Sequence, residues 1–162
     1  MIALLRIDDR LIHGQVVVNW VKAFPCEGLI AVNDAAASVP LLKMSYRSAA
    51  PGRKVFVWSK AEWEEKKDKV LASKDRYFLL ARNAADMADL LRGIQSGVQE
   101  IYVGPCSMQE NAVRIGDNQA LTQEDAAALE ELSRSGYEVI FALVYEKEKG
   151  RWRDFRSLFG YA

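Results

Sequence analysis

The feature that most constrains this chain is an alternation of two textures. Short, β-rich, nearly continuous apolar runs occur at Ile2–Ile7 (IALLRI), Leu29–Val32, Lys54–Trp58, Tyr77–Ala81, Glu100–Val103 and Glu138–Val144. Runs without a polar alternate position suit strands covered on both faces, as in a parallel sheet sandwiched by helices. Between them lie segments with helix-start chemistry. Ser59-Lys60-Ala61-Glu62 and Thr122-Gln123-Glu124-Asp125 have the form of capping boxes, in which a hydroxyl accepts from the amide three residues on. Asn83 is placed to cap Ala84–Gln95, Ser38 to cap a helix over Leu41–Ala49 that Pro40 opens, and Gly136 to follow a helix ending at Ser135. A further helix is expected over Gly14–Phe24, and the basic, aromatic tail Lys147–Ala162 reads as a closing helix. The βα order predicts an α/β fold: one domain over residues 1–162, an open and mainly parallel β-sheet with helices on both faces.

Composition narrows the function classes. Basic and acidic residues balance at 22 each, and no basic stripe interrupts the chain, so nucleic acid is not an expected partner. No apolar run reaches the length of a membrane span. Nor is there a charged start leading into an apolar stretch and a cleavage site, so no signal peptide is expected and the cytoplasm is the default compartment. Cys26 and Cys106 read as free thiols, with a disulfide or a reactive thiol as the alternative. With a single histidine in the chain there is no metal-ligand cluster, and neither a metal nor another cofactor is called for.

Open α/β sheets place their sites outside the carboxyl ends of the strands. That rule nominates the loops after the apolar runs: Asp8–His13, Asn33-Asp34, Ser59-Lys60, Arg82-Asn83 and Gly104–Ser107. The first is the richest in chemistry. Arg6-Ile7-Asp8-Asp9-Arg10-Leu11-Ile12-His13-Gly14-Gln15-Val16 joins two carboxylates, Arg10 and the lone imidazole to the start of a helix. A helix start leaves amides unpaired and carries partial positive charge, which suits a phosphate. Arg10 can offer phosphoryl oxygens a planar fork of donors. Read without reference to function, the same residues make a local salt bridge beside a partly buried histidine.

RIDDRLIHGQV resembles the phosphorylation loop of IIB components in the mannose/fructose/sorbose branch of the bacterial phosphotransferase system (PTS) for sugar uptake. Val32-Asn33-Asp34 is similar to that family's acidic turn after its second strand, and Gly104, Asn118–Asp125 and Gly136–Val144 to its C-terminal half. The resemblance implies that His13 accepts a phosphoryl group from a phosphohistidine on a IIA domain and passes it to a sugar entering through membrane IIC and IID components. It further implies attack by Nδ1 and a cytoplasmic protein held at the inner membrane face through IIC and IID. The chain departs from the family at Val103-Gly104-Pro105-Cys106-Ser107, where relatives carry a Gly-Gly pair; proline removes an amide donor there.

The chemistry constrains the neighbours of His13. Imidazole is a capable nucleophile near neutral pH if its other nitrogen is held. A phosphoryl dianion ~6 Å from a carboxylate is repelled by roughly 5 kcal/mol at an effective dielectric of ~20. Asp8 and Asp9 must therefore be occupied, one holding Arg10 or capping the loop and one orienting His13. Arg10, Gly14 and Gln15 are candidates to bind or orient the phosphate. Asp34 reads as a turn or cap or a site residue, Ser59 as a cap or a phosphate contact, and Arg82 as an anion contact or a surface residue. A relay histidine is expected to be uncovered, because it meets two proteins in turn. Leu11 and Ile12 either plug the core or form an apolar contact for partners, and the aromatic tail either packs or forms a partner surface. Two other functions remain open from the sequence: a regulatory or binding module of the same fold uncoupled from transport, and a phosphoester hydrolase with Asp8 or Asp9 as nucleophile.

Overall fold

In the computed structural model, which describes residues 1–162, the strands are β1 (Ile2–Ile7), β2 (Gly28–Val32), β3 (Lys54–Trp58), β4 (Tyr77–Ala81), β5 (Glu100–Val103), β6 (Val113–Gly116), β7 (Gln119–Leu121), β8 (Glu138–Ala142) and β9 (Glu148–Arg151). Seven of them form one sheet in the order β3-β2-β4-β1-β5-β8-β9. All neighbours pair in parallel except β8 and β9, which are antiparallel. β6 and β7 form a separate antiparallel hairpin.

The continuous apolar runs are explained by two cores, one on each face of the sheet. Leu5, Ile7, Ile30, Leu79, Ala81 and Val139 point to one side, under α4 (Lys60–Ala72), α5 (Ala84–Leu91) and α6 (Gln123–Arg134). Leu4, Leu29, Ala31, Phe78, Leu80 and Ile140 point to the other, with Val16, Trp20 and Val21 of the first helical segment and Tyr46 of α3 (Pro40–Ala49). That alternation makes the fold α/β with helices on both faces.

The expected caps at Ser59, Asn83 and Thr122 are all formed. Gly136 follows α6 with φ of 103°, a left-handed position open to glycine. Four expectations need correction. The helix over Gly14–Phe24 exists, but Val16–Trp20 winds as a π-helix, with the Val21 amide bonded to the Val16 carbonyl, and ordinary helix α1 covers only Val21–Ala23. Ser38 does not cap α3. It ends α2 (Asp34–Ala37), its hydroxyl donating to the Ala35 carbonyl at 2.7 Å, and Val39 stands at the start of α3. α5 stops at Leu91, short of Gln95, because Arg92 turns extended and Gly93 takes φ of 78°.

The tail is not a closing helix. It supplies edge strand β9, one helical turn α7 (Trp152–Phe155) and a 3-10 turn over Arg156–Phe159. β9 is rich in charge and lacks an apolar alternation, so its pairing does not show in the pattern; charge on an edge strand discourages further strands from adding. Trp152 and Phe159 pack into the core rather than forming a partner surface.

Glu130 of α6 fastens this tail. Its carboxylate accepts from Trp152 Nε1 at 2.9 Å, Arg156 Nε at 3.0 Å and Arg134 Nε at 2.9 Å. The Arg156 guanidinium first, helped by Trp152 and Arg134, draws its pKa down to about 2. A carboxylate with a lowered folded pKa stabilises the fold fully above its unfolded value and loses that contribution as pH falls through the folded one. Acid titration of stability should therefore show a component between pH about 4.5 and about 2 that is absent in Glu130→Gln. At pH 7 that variant should lose about 1–3 kcal/mol in a urea melt.

Candidate functional site

The carboxyl ends of the central strands are level: Ile7 lies opposite Ala81 and Val103, and Val32 opposite Ala81. The loops after β1, β2, β4 and β5 therefore emerge along one edge. The chain after β1 turns to the face of α1, whereas the chain after β4 turns to the face of α5. Neighbouring strands whose connections leave in opposite directions open a crevice between their loops.

The loop after β1 is built around a buried chain of charges. Arg6 is 1% exposed and Asp8 0%. Arg6 Nε donates to Asp8 Oδ2 at 3.3 Å, and its other nitrogens donate to the carbonyls of Ala142 at 3.1 Å and Leu143 at 3.3 Å. The guanidinium lies 4.3 Å from the centroid of Trp20, a cation–π contact made by the π-wound segment. Burial pulls the Arg6 pKa below its ordinary value, and Asp8 opposes that shift. Gly104 completes the enclosure, since a β-carbon there would overlap the Arg6 guanidinium.

Asp8 turns this buried charge toward His13. Its Oδ2 lies 2.9 Å from His13 Nε2, and its Oδ1 accepts the Arg10 amide at 2.9 Å. The Asp8 carbonyl accepts the Leu11 amide at 3.0 Å, with Leu11 at φ of 56°, which folds the loop back so that Leu11 and Ile12 insert into the core. They are core plugs, not a partner contact. Asp9 is occupied elsewhere: Oδ2 accepts from the Ser107 amide at 2.8 Å and from the Ser107 hydroxyl, while the Asp9 amide donates to the Pro105 carbonyl at 3.0 Å. At Pro105 this contact uses the carbonyl, which proline retains.

His13 departs from the expected exposure. It is only 8% exposed, and its Nδ1 is buried without a hydrogen-bond partner. Its bond to the fully buried Asp8 holds the ring inward. Around it the amides of Ile12, His13, Gly14 and Gln15 donate to no protein acceptor.

Arg10, Gly14 and Gln15 are exposed beside the ring. Arg10 and Gln15 line an open cleft of about 1100 Å³, whose far wall carries Arg114, Lys147 and Lys149 from β6, β9 and the loop before β9. Asp34 and Ser59 do not join the His13 loop. Asp34 Oδ1 accepts the Lys60 amide at 2.8 Å, tying the loop after β2 to the one after β3. Ser59 Oγ is used as the cap of α4, accepting the Glu62 amide at 3.1 Å. Both thiols are free, and burial pushes Cys106 up to about 12 and raises Cys26, so neither is a ready nucleophile.

The linear pattern did not single out Arg6, Trp20 or Ser107. Arg6 did carry a signal, an arginine inside an otherwise apolar strand destined for burial on both faces. Ser107 lay in a nominated strand-end loop, but nothing local pointed to its bond with Asp9, 98 residues away.

The model of the PTS system sorbose subfamily IIB component matches residues 2–161. The chain belongs to that family. The fructose-specific EIIB component of Bacillus subtilis is 31% identical over 143 residues, covering 83% of each chain. The mannose-specific EIIAB component of Escherichia coli is 29% identical over 160 residues; the match takes in 97% of this chain and 49% of that longer one. Among solved structures, the IIBSor domain of the sorbose permease from Klebsiella pneumoniae superposes with a TM-score of 0.86 at 27% identity, over 100% of this chain and 99% of that one. This IIB chain is thus a phosphotransferase subunit of a sugar PTS, with the seven-stranded, mostly parallel sheet of IIB structures. None of its helices is long and apolar enough to cross a membrane.

The buried chain of charges is testable through stability. Asp8→Asn leaves the Arg6 guanidinium enclosed without a counter-charge and should cost about 3 kcal/mol or more in chemical denaturation. Gly104→Ala should also destabilise, by driving Arg6 from its place. An unchanged denaturation midpoint in either variant would show that the Arg6 enclosure contributes little.

Proposed function

We propose that the chain is a histidine phosphocarrier in which His13 Nδ1 accepts a phosphoryl group from a phosphohistidine on IIA and delivers it to a sugar carried by membrane IIC and IID components. The observation that carries this reading is the asymmetry of the ring. Asp8 Oδ2 occupies Nε2 at 2.9 Å, and Nδ1 has no partner. With Arg6 and the Arg10 amide also donating to the Asp8 carboxylate, Nε2 serves as the donor to Asp8 and Nδ1 keeps the lone pair.

In the transfer, that lone pair forms a P–N bond as the bond from phosphorus to the donor imidazole breaks. The electron pair returns to the donor ring. The positive charge that develops on the His13 ring is countered by Asp8, while the phosphoryl oxygens meet the unpaired amides of the loop and the free guanidinium of Arg10. Positioning and electrostatics dominate such a transfer. The enclosed ring implies that the loop turns outward to meet its partners, with unobstructed Gly14 as the place where the backbone can swing. Delivery to the sugar repeats the exchange in reverse at a hydroxyl, which loses its proton as the P–N bond breaks.

The EIIAB relative supports a IIA partner. The cleft beside Arg10, with Arg114, Lys147 and Lys149 on its wall, supports docking of a phosphorylated partner there. The chain then works in the cytoplasm at the inner membrane face, reached through IIC and IID. The sugars in the names of the relatives include fructose, mannose and sorbose, so the substrate class is a hexose and the choice among them belongs to the membrane partner. The hydrolase reading loses support at Asp8, whose oxygens are both occupied and which is sealed from solvent.

Radiolabelled phosphoryl supplied through the general PTS carrier and IIA should appear on the chain as acid-labile, alkali-stable label. His13→Ala should carry none, and label persisting on that variant rejects the proposal. Arg10→Gln should still fold and lower the equilibrium constant for phosphoryl transfer onto the chain by roughly tenfold or more, the value of one charged hydrogen bond of about 1.5–3 kcal/mol.

A further inference from the structure

Two buried side-chain nitrogens in the molecule have no hydrogen-bond partner: His13 Nδ1 and Arg82 Nε. They belong to one edge of the sheet. β1 and β4 run parallel with Ile7 opposite Ala81, and the Asp8 amide continues the ladder to the Ala81 carbonyl at 2.9 Å. Arg82 therefore stands abreast of Asp8.

The faces agree as well. Leu79 and Ala81 point into the core under α4, α5 and α6, and Leu80 into the core with Trp20 and Tyr46. Continuing that alternation puts Arg82 on the Leu80 side. Leu4 of β1, Leu11, Ile12 and Val16 lie on that side, and Arg6 stacks on Trp20 there. Register and alternation thus place Arg82 and the His13 loop at neighbouring strand ends and on the same side of the sheet.

Arg82 joins none of the ion pairs of the molecule, although carboxylates elsewhere gather arginines in pairs, as Glu130 does. A guanidinium nitrogen held out of water without an acceptor is unfavourable unless an acceptor arrives. The ligand that suits both orphans at once is a tetrahedral oxyanion bonded to Nδ1, with its oxygens toward a planar fork of N–H donors.

We propose that Arg82 is a phosphoryl-binding residue of this chain, receiving the oxygens of the group on His13 Nδ1 from the side opposite Arg10. The inference rests on the reading of His13 as the phosphoryl acceptor. Arg82 exchanges no proton and forms no covalent bond. It donates hydrogen bonds to the oxygens while the P–N bond forms at His13 and the donor's P–N bond breaks.

The test uses the full chain, 15N-labelled and phosphorylated through the general carrier and IIA. The Arg82 Nε–H resonance, identified by its loss in Arg82→Gln, should move on phosphorylation of the wild-type chain. In His13→Ala it should stay in place when the same donors are added. The equilibrium constant for transfer from phosphorylated IIA should fall about tenfold in Arg82→Gln and recover in part in Arg82→Lys. The melting temperature of Arg82→Gln should not fall, since no native hydrogen bond of Nε is lost. An Arg82 resonance that stays put while His13 is phosphorylated, or an unchanged transfer constant in Arg82→Gln, overturns the role of Arg82 and leaves the His13 reading standing. A lower melting point with the resonance unmoved assigns Arg82 to structure and also overturns it. Label that survives in His13→Ala rejects the His13 reading itself, and the inference with it.

Discussion

The site depends on one buried electrostatic chain, Arg6 to Asp8 to His13. An arginine in the middle of a buried strand is expensive unless its donors are matched and its charge is countered. Here the matching is complete enough to fix the direction of the Asp8 carboxylate. Two carbonyls at the end of β8, the face of Trp20 and that carboxylate surround the guanidinium, and Gly104 leaves room for it. The carboxylate so held has one remaining direction, toward Nε2 of His13. A ring fixed through one nitrogen leaves the other unpaired, and which nitrogen that is depends on the core of the protein rather than on the surface loop alone.

The two aspartates divide the work that their adjacency suggests they would share. Asp8 looks inward and orients. Asp9 looks across to the strand-end loop after β5 and ties Ser107 and the Pro105 carbonyl to the histidine loop. Neither carboxylate is left facing the position where a phosphoryl group would stand. This answers the repulsion problem without drawing Arg10 into an ion pair, so the Arg10 guanidinium stays available at the mouth of the cleft. The closed position of the ring also has a physical sense. A ring nitrogen covered by its own loop is shielded from water.

Much of the fold was legible in the linear pattern. Strands buried on both faces lose their polar alternate residues, so β1 to β5 and β8 stand out as apolar runs, and the caps at Ser59, Asn83 and Thr122 are local chemistry within four residues. β9 and the hairpin β6–β7 did not show. At three or four residues each they are too short to leave a periodic signature, and β9 is charged as well. The π-winding at Val16–Trp20 was hidden for a related reason: the apolar spacing of a helix survives the change in winding. Ser38 misled because a hydroxyl before a proline suits the start of one helix and the end of another equally well.

For the site, the sequence by itself determined the chemical inventory: an imidazole, two carboxylates and an arginine between a strand and a helix start, and with them the family. It could not determine the roles, because a role here is a direction in space. Only the tertiary structure decided that Asp8 turns to the ring and Asp9 away from it. Only the fold enclosed Arg6 and used Asp34 and Ser59 as ties and caps outside the site. Hydrogen bonds and charge pairs are short-ranged and directional, so the partner of each group depends on which strands are brought abreast. That is a property of the folded sheet, and no single stretch of the chain contains it.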